Sequence, residues 1–229
     1  KIQFQASNGN LRLKSSSFNM GKVFIKDEFT VRDFQVLNAG PKAITFSGKY
    51  VGPAYIKVDV QPKVLPPGAK GNIKVSYNGK MKGSYGFQTD NVEIFTDDES
   101  NSTKSFSVYA TLEDDFPQLT AEELSKAPQL RVQYSTLDFG KLTPHTASVR
   151  EVQFYNMGKK ELDIKSLQGN CACVTASAEK TSIKPGESAS ITISLNPQDR
   201  KGSLQKALTI YSNDPQNPVQ RITFSGYVE

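Results

Sequence analysis

The chain is written twice, and no other feature constrains its fold so strongly. Residues 11–23 (LRLKSSSFNMGKV) align with residues 130–142 (LRVQYSTLDFGKL) at a constant offset of 119, with five identities in thirteen positions. Residues 31–46 (VRDFQVLNAGPKAITF) align with 149–164 (VREVQFYNMGKKELDI) at offset 118, with six identities in sixteen. Chance supplies about one identity in so short a window. The register returns at PPGAKGNIKVSYN (66–78) against KPGESASITISLN (184–196), and closes at VEIFTDD (92–98) against LTIYSND (208–214), offset 116. Two copies of one folding unit follow, each of ordinary single-domain size.

Composition admits such domains. At 229 residues, each copy is large enough to bury a core without disulfide or metal staples. Hydrophobic residues make up 37% and charged residues 22%, which suits a soluble globular protein and not a disordered one. No apolar run approaches the roughly eighteen residues that a membrane-crossing helix needs, so no transmembrane segment is expected. The chain opens on Lys1 with no charged-then-apolar leader, so export is not visible in it directly. The net charge of +5 is spread as +3 over residues 1–115 and +2 over 116–229, with no dense Lys/Arg tract. Nucleic-acid binding normally needs a concentrated basic face, so no such partner is expected.

The local signals are those of strands. Phe34 and Val36, matched by Val152 and Phe154, alternate with polar neighbours in the two-residue period of a half-buried strand. Ile73, Val75 and Tyr77 repeat this, matched by Ile191, Ile193 and Leu195. Val92 and Ile94 pair with Leu208 and Ile210, and Phe106, Val108 and Ala110 with Ile222, Phe224 and Gly226. Turn chemistry separates these runs. In Asn38-Ala-Gly40 and Asn156-Met-Gly158 the glycine is expected to supply a positive φ and the Asn side chain to satisfy loop backbone groups. Pro67-Gly68 and Pro185-Gly186 punctuate the approach to the next strand. About seven short strands per copy, with turns every eight to twelve residues, predict an all-β chain of two tandem immunoglobulin-like antiparallel β-sandwiches.

The join carries the one helical signal. Thr120-Ala-Glu-Glu123 has capping-box spacing, and Pro128 discourages helix in the residue before it. A helix this short is marginal alone, which predicts that it docks between the domains. The expected division is a first sandwich over residues 1–112, a short partly helical linker over 113–129 and a second sandwich over 130–229. KIQFQ at the start reads as an extra strand without a counterpart before residue 130.

The second copy reads LDFG (137–140), YNMG (155–158), CAC (171–173), IKPGES (183–188) and YSNDP (211–215). In that order and spacing these motifs resemble a bacterial family of domains of unknown function common in cell-envelope proteins of Bacteroidota. Its signature runs FDFG, NxG, CGCT, PGE and SNDP, and it is related to Hydin-type and major-sperm-protein-like modules. The first copy is a degenerate member, with FNMG (18–21), LNAG (37–40), LPPGAK (65–70) and FTDD (95–98). The resemblance implies a non-catalytic, exported module of the periplasm or cell envelope, its signal peptide removed. By analogy with related modules, a tandem pair would brace or occlude an outer-membrane assembly such as a secretion translocon.

Cys171 and Cys173 are the only cysteines and form the one candidate site. A B–F disulfide of the antibody kind is impossible, since it joins separate strands, and there is no Trp to pack on it. The first copy carries Pro53 and Tyr55 at these positions, so the fold does not require the pair. Three readings stay open. The pair is buried thiols, or a local disulfide that needs a bend in the chain, or a metal or redox site. His145 lies in a Thr-Pro-His-Thr loop with no partner nucleophile in view, and no phosphate loop, HExxH or EF-hand pattern occurs. No catalytic residue, cofactor or metal is therefore assigned. The acidic groups Asp97-Asp98-Glu99 and Glu113-Asp114-Asp115 read as solvated loops, with calcium as the rival reading. Asn101-Ser-Thr103 fits the N-glycosylation pattern, read as coincidence in a bacterial envelope protein.

These features point to a non-enzymatic binding or scaffolding protein that takes a protein partner through strand edges or end loops. The edges named are residues 1–5 and the segments following Asn38-Ala-Gly40 and Asn156-Met-Gly158. A glycan- or peptidoglycan-binding module is the alternative, resting on Tyr50, Tyr55, Tyr85 and Phe87 and weakened by the absence of Trp. A thiol-active redox factor using Cys171 and Cys173 is the other. No small-molecule substrate is expected.

Overall fold

The computed structural model describes residues 4–229. In the first half the chain forms β1 (Ala6–Asn8), β2 (Leu11–Leu13), β3 (Ser17–Phe24), β4 (Thr30–Asn38), β5 (Ile44–Val51), β6 (Ile56–Gln61), β7 (Val64–Leu65) and β8 (Lys70–Tyr77). A one-turn helix α1 (Gly79–Lys82) then leads into β9 (Gly86–Thr96) and β10 (Thr103–Glu113). One sheet runs β1-β2-β4-β8-β6 and the other β3-β10-β9-β5-β7. Their inward faces share a single core, which includes Phe18, Val36, Ile73, Val75, Tyr77, Val92 and Val108, all fully buried.

The second half begins with α2 (Ala121–Lys126), followed by β11 (Leu130–Val132), β12 (Thr136–Leu142), β13 (Ser148–Asn156), β14 (Leu162–Gly169) and β15 (Val174–Ala178). It ends with β16 (Ser182–Ile183), β17 (Ser188–Leu195), β18 (Gly202–Ser212) and β19 (Val219–Val228). Its sheets run β11-β13-β17-β15 and β12-β19-β18-β14-β16. Strand for strand this is the order of the first half without β1. A separate core gathers Phe154, Ile191, Ile193, Leu208 and Ile222. The chain divides into compact units at Asp115/Phe116. It is nearly all-β and consists of two tandem sandwich domains, with no described helix long and apolar enough to cross a membrane.

Within this mainly antiparallel scheme each sandwich has one parallel pair, β3 with β10 and β12 with β19. Both pairs break register where Gly21 and Gly140 each adopt φ of 66°. The N–H of Gly21 donates to Asn19 Oδ1 and that of Gly140 to Asp138 Oδ1, each at 2.8 Å. An arginine secures the bulge from the facing sheet: Arg32 Nε donates to the Met20 carbonyl (2.7 Å) and Arg150 Nη2 to that of Phe139 (3.1 Å). FNMG and LDFG thus encode the same bulge, with glycine where the backbone is left-handed.

The Asn-x-Gly loops are built alike in both copies. Asn38 is fully buried; its Nδ2 donates to the carbonyls of Lys42 (2.7 Å) and Leu65 (2.8 Å), and its Oδ1 accepts from the Gly40 N–H (2.9 Å). Asn156 repeats this with Lys160 (2.7 Å), Ile183 (2.9 Å) and Gly158 (3.0 Å). The glycine expectation needs correcting. Neither Gly40 nor Gly158 has a positive φ; each is there for space. A Cβ on Gly40 would lie 2.7 Å from Asn10, and one on Gly158 would lie 2.2 Å from the Ala127 carbonyl oxygen. The left-handed glycines are Gly68 (72°) and Gly186 (77°), in the Pro-Gly turns.

The capping box is formed, with Thr120 accepting from the Glu123 N–H and Glu123 from the Thr120 N–H. Beyond the helix, the backbone of Gln129 accepts from the Met157 N–H (2.8 Å) and that of Ala127 from Lys159 (3.2 Å). These bonds tie the end of the join to the β13–β14 loop of the second unit. The extra strand expected at residues 1–5 falls partly outside the described residues. Phe4 and Gln5 are not in a strand, and the added strand is β1. Helix α1 has no signature in the periodicity. Asn78 caps it and Gly83 ends it in the left-handed region.

Candidate functional site

Cys171 and Cys173 sit in the sharp reversal between β14 and β15, joined by a disulfide with Cα atoms 5.1 Å apart. The bend comes from a turn in which the Val174 N–H donates to the Cys171 carbonyl (3.1 Å), while the Asn196 N–H donates to the Cys173 carbonyl (2.9 Å). The first copy makes the same two bonds without sulfur, Ile56 N–H to the Pro53 carbonyl (2.9 Å) and Asn78 N–H to that of Tyr55 (2.8 Å). The backbone path is therefore the same with or without the bridge. Closing so small a ring removes little unfolded-chain entropy, worth about 1.6 kcal/mol against about 3 kcal/mol for a fifteen-residue loop. Cys173 is buried, only 3% exposed, while Cys171 is partly open at the edge of the core.

The surroundings of this loop differ between the copies. In the first, Tyr55 and Tyr77 both donate to Asp90, at 2.5 and 2.8 Å. Lys82 donates to the Tyr55 hydroxyl (2.8 Å) and lies 4.6 Å above its ring. Burial and the Asp90 carboxylate push both tyrosine hydroxyls above their ordinary value. In the second copy Tyr55 is replaced by Cys173, Tyr77 by Leu195 and Asp90 by Lys206. An end where Asp90 is paired with Lys82 becomes one where a lysine stands at the acid's position. Lys206 and Arg221 line an open hollow of about 470 Å³ together with Asn170, Gln205, Thr136 and Thr223. Burial, reinforced by Arg200, holds the Lys206 ammonium below its ordinary value.

The strand edges form the second candidate surface. β7 pairs with β5 only at Ile44 and Thr45, and residues 47–51 of β5 are all exposed. Among the described residues no strand lies on the outer side of this stretch. Its inner side pairs with β9 at Tyr50 and Val51. A bulge at Ser47 and Gly48 (φ 76°) twists it, and Lys49 adds charge. The equivalent part of β14 is more covered, with residues 166–169 half-buried.

The remaining sequence candidates separate. Tyr50 stands opposite Ile94, seven residues along β9 from Phe87, which is about 23 Å at strand rise. Phe87 stacks on Tyr109, and Tyr85 bonds Asp114; burial, reinforced by that carboxylate, pushes its hydroxyl up to about 12. Tyr55 belongs to the Asp90 cluster. These four aromatics therefore do not make one platform. His145 is exposed and meets Asp199 at 2.9 Å.

The two acidic groups also come apart. Asp97 accepts from the Thr45 N–H (2.6 Å), Glu99 pairs with Lys42 (2.7 Å), Glu113 with Lys22 (2.8 Å) and Asp115 with Lys26. No group of three metal-ligating side chains occurs among the described residues. Asp98 is buried against Lys104 at 2.7 Å, both side chains at most 1% exposed. Burial opposes ionisation of Asp98, but Lys104 and the N–H groups of Asn10 and Ser100 outweigh it and hold its carboxyl below the ordinary value. In the sequence Asp98 reads as one of three loop acids, which hides the buried pair. Its recurrence as Asp214 at offset 116 was the available signal.

A family model described as Protein of unknown function (DUF1573) matches residues 11–111 and again residues 130–228. Among solved structures, the chain is similar to a protein of unknown function from Porphyromonas gingivalis W83, with 22% identity and a TM-score of 0.66. That similarity spans 96% of this chain and 100% of the other. The ASH / PapD-like domain of human CEP192 is a more distant likeness, at 11% identity and a TM-score of 0.38 over 51% of this chain and 94% of that one. The first of these shows a shared fold, and the second adds no argument. Among curated proteins no match is found.

Proposed function

This chain belongs to the family described as Protein of unknown function (DUF1573), carrying its domain twice, and on that premise we propose a non-enzymatic protein-binding or scaffolding module of the bacterial periplasm. The observation that carries the reading is the open half of β5. Residues 47–51 present backbone groups on a side where no strand is described, and a partner strand can add there by main-chain hydrogen bonding. The disulfide supports an oxidising compartment, where such bonds persist. In that setting the pair of sandwiches braces or occludes a larger outer-membrane assembly, a secretion translocon being one such assembly. The separated aromatics give no comparable support to a glycan-binding module.

The test places a photo-crosslinking residue at position 49 on the open edge or at position 74 on the outer face of β8, in the full chain within its native envelope. Capture of a discrete envelope polypeptide from position 49 and not from 74 is the expected result. Free monomer alone from both positions, under mild extraction, overturns the reading.

A further inference from the structure

We propose that the Cys171–Cys173 disulfide is a reversible redox site that accepts two electrons from a dithiol. This goes beyond the docking edge on β5 and does not depend on it. Three observations converge. The turn holds its shape in the first copy through the same backbone bonds with Pro53 and Tyr55, so the sulfur bridge is not needed to build it. The two sulfurs are placed differently, Cys173 against the core and Cys171 towards the surface, so Cys171 is the sulfur an incoming thiolate can reach. Beside them the chain supplies cations. Gly169 pairs with Leu208, and the Asn170 N–H donates to the Ala207 carbonyl at 3.1 Å, so Cys171 directly follows, and Lys206 directly precedes, a bonded pair of residues. Lys206 and Arg221 line the hollow that begins at Asn170. A cationic, partly exposed setting stabilises a thiolate, the form in which cysteine reacts. The first copy has Asp90 at the position of Lys206 and no cysteine, and its own cation there, Lys82, is engaged by Tyr55 and Asp90.

The exchange balances as follows. A thiolate of the dithiol attacks the Cys171 sulfur, forming a mixed disulfide and expelling the Cys173 sulfur as a thiolate, which takes up a proton. The second thiol of the reductant, as thiolate, attacks its own partner sulfur in the mixed disulfide and releases Cys171 as a thiolate, which takes up the second proton. The dithiol leaves as a disulfide and the protein as a dithiol, two electrons and two protons having moved.

The experiment uses the full chain, oxidised and native, with dithiothreitol as the probe dithiol. Aliquots are quenched with an alkylating reagent and read by mass, and thermal unfolding is followed before and after reduction. The expected result is a gain of two alkyl groups at millimolar dithiothreitol with the fold retained. The unfolding midpoint falls by no more than about 10 °C, as suits a small-ring bridge. Oxidised glutathione then restores the bond. In single variants, Cys171 left alone by C173S alkylates severalfold faster than Cys173 left alone by C171S, and Lys206→Gln slows the former. A bond reduced only after denaturant is added shows a structural bridge and overturns the proposal. So does a reduced chain that has lost cooperative unfolding, or equal reactivity of the two single thiols.

Discussion

Lys104 shows how one buried side chain is settled differently in two copies of one fold. Its ammonium meets Asp98 at 2.7 Å and also donates to the carbonyls of Asn8 (2.8 Å) and Asn101 (2.9 Å). In the second copy the matching residue is Gln220, which donates to the Leu130 carbonyl (2.9 Å). There Asp214 takes the N–H groups of Leu130, Gln216 and Asn217, and among the described residues no cation pairs with it. Removing one partner of a buried ion pair leaves an uncompensated charge, so Lys104→Met is expected to destabilise the first sandwich by about 3–5 kcal/mol. Lys104→Gln, which keeps a donor as the second copy does, is expected to cost less; denaturant unfolding of both variants measures the difference. Because the folded carboxyl of Asp98 lies below its unfolded value, the native state binds fewer protons there. Its contribution is full above the ordinary carboxylate value and is lost as pH falls through the folded value. An acid titration of stability should therefore steepen below about pH 4 in the wild type and less so in Lys104→Met.

At the scale of elements, the two sandwiches share strand order and bulges but not their edges. β1 extends the first sheet, and β5 stands free beyond Phe46, whereas the matching part of β14 is half-buried. Natural edges are blunted by bulges and lysines, and β5 has both in Gly48 and Lys49. Lys49→Val removes the charge from the exposed edge and is expected to raise self-association, seen as a concentration-dependent shift in sedimentation; a monomer at all concentrations would count against an accessible edge. The alternation of Ile73, Val75 and Tyr77 was enough to place β8 and its inward face. The openness of β5 was not legible, because β7 and its counterpart β16 are both two residues long, and only the packing around each strand separates the exposed residues 47–51 from the half-buried 166–169. The helix α1 was equally hidden, since GKMK has no apolar period and its start is fixed by the close approach of Gly79 to the Phe24 carbonyl.

At the scale of the whole molecule, each half has its own core and its own complete pair of sheets. Residues 1–115 and 116–229 are therefore expected to fold separately, each giving a strand-type circular dichroism spectrum and a cooperative thermal transition. A fragment that stays unfolded alone while the full chain folds would show that the units depend on each other. The second fragment has to begin at the join, because Ala127 and Gln129 hydrogen-bond to the β13–β14 loop.

The repeat by itself determined the fold class, the two copies and the inward positions of the long strands. These follow from local alternation and turn chemistry, which are written in neighbouring residues. It also singled out Asn38 and Asn156, since a polar residue recurring between two strands needs a backbone to satisfy. Tertiary structure alone decided why Gly40 and Gly158 are glycine, which acid is buried, which edge is open and what surrounds the cysteines. Each of those depends on a contact between residues far apart in the chain, such as Asp90 with Tyr55, and spacing along a sequence does not record distance across a sandwich.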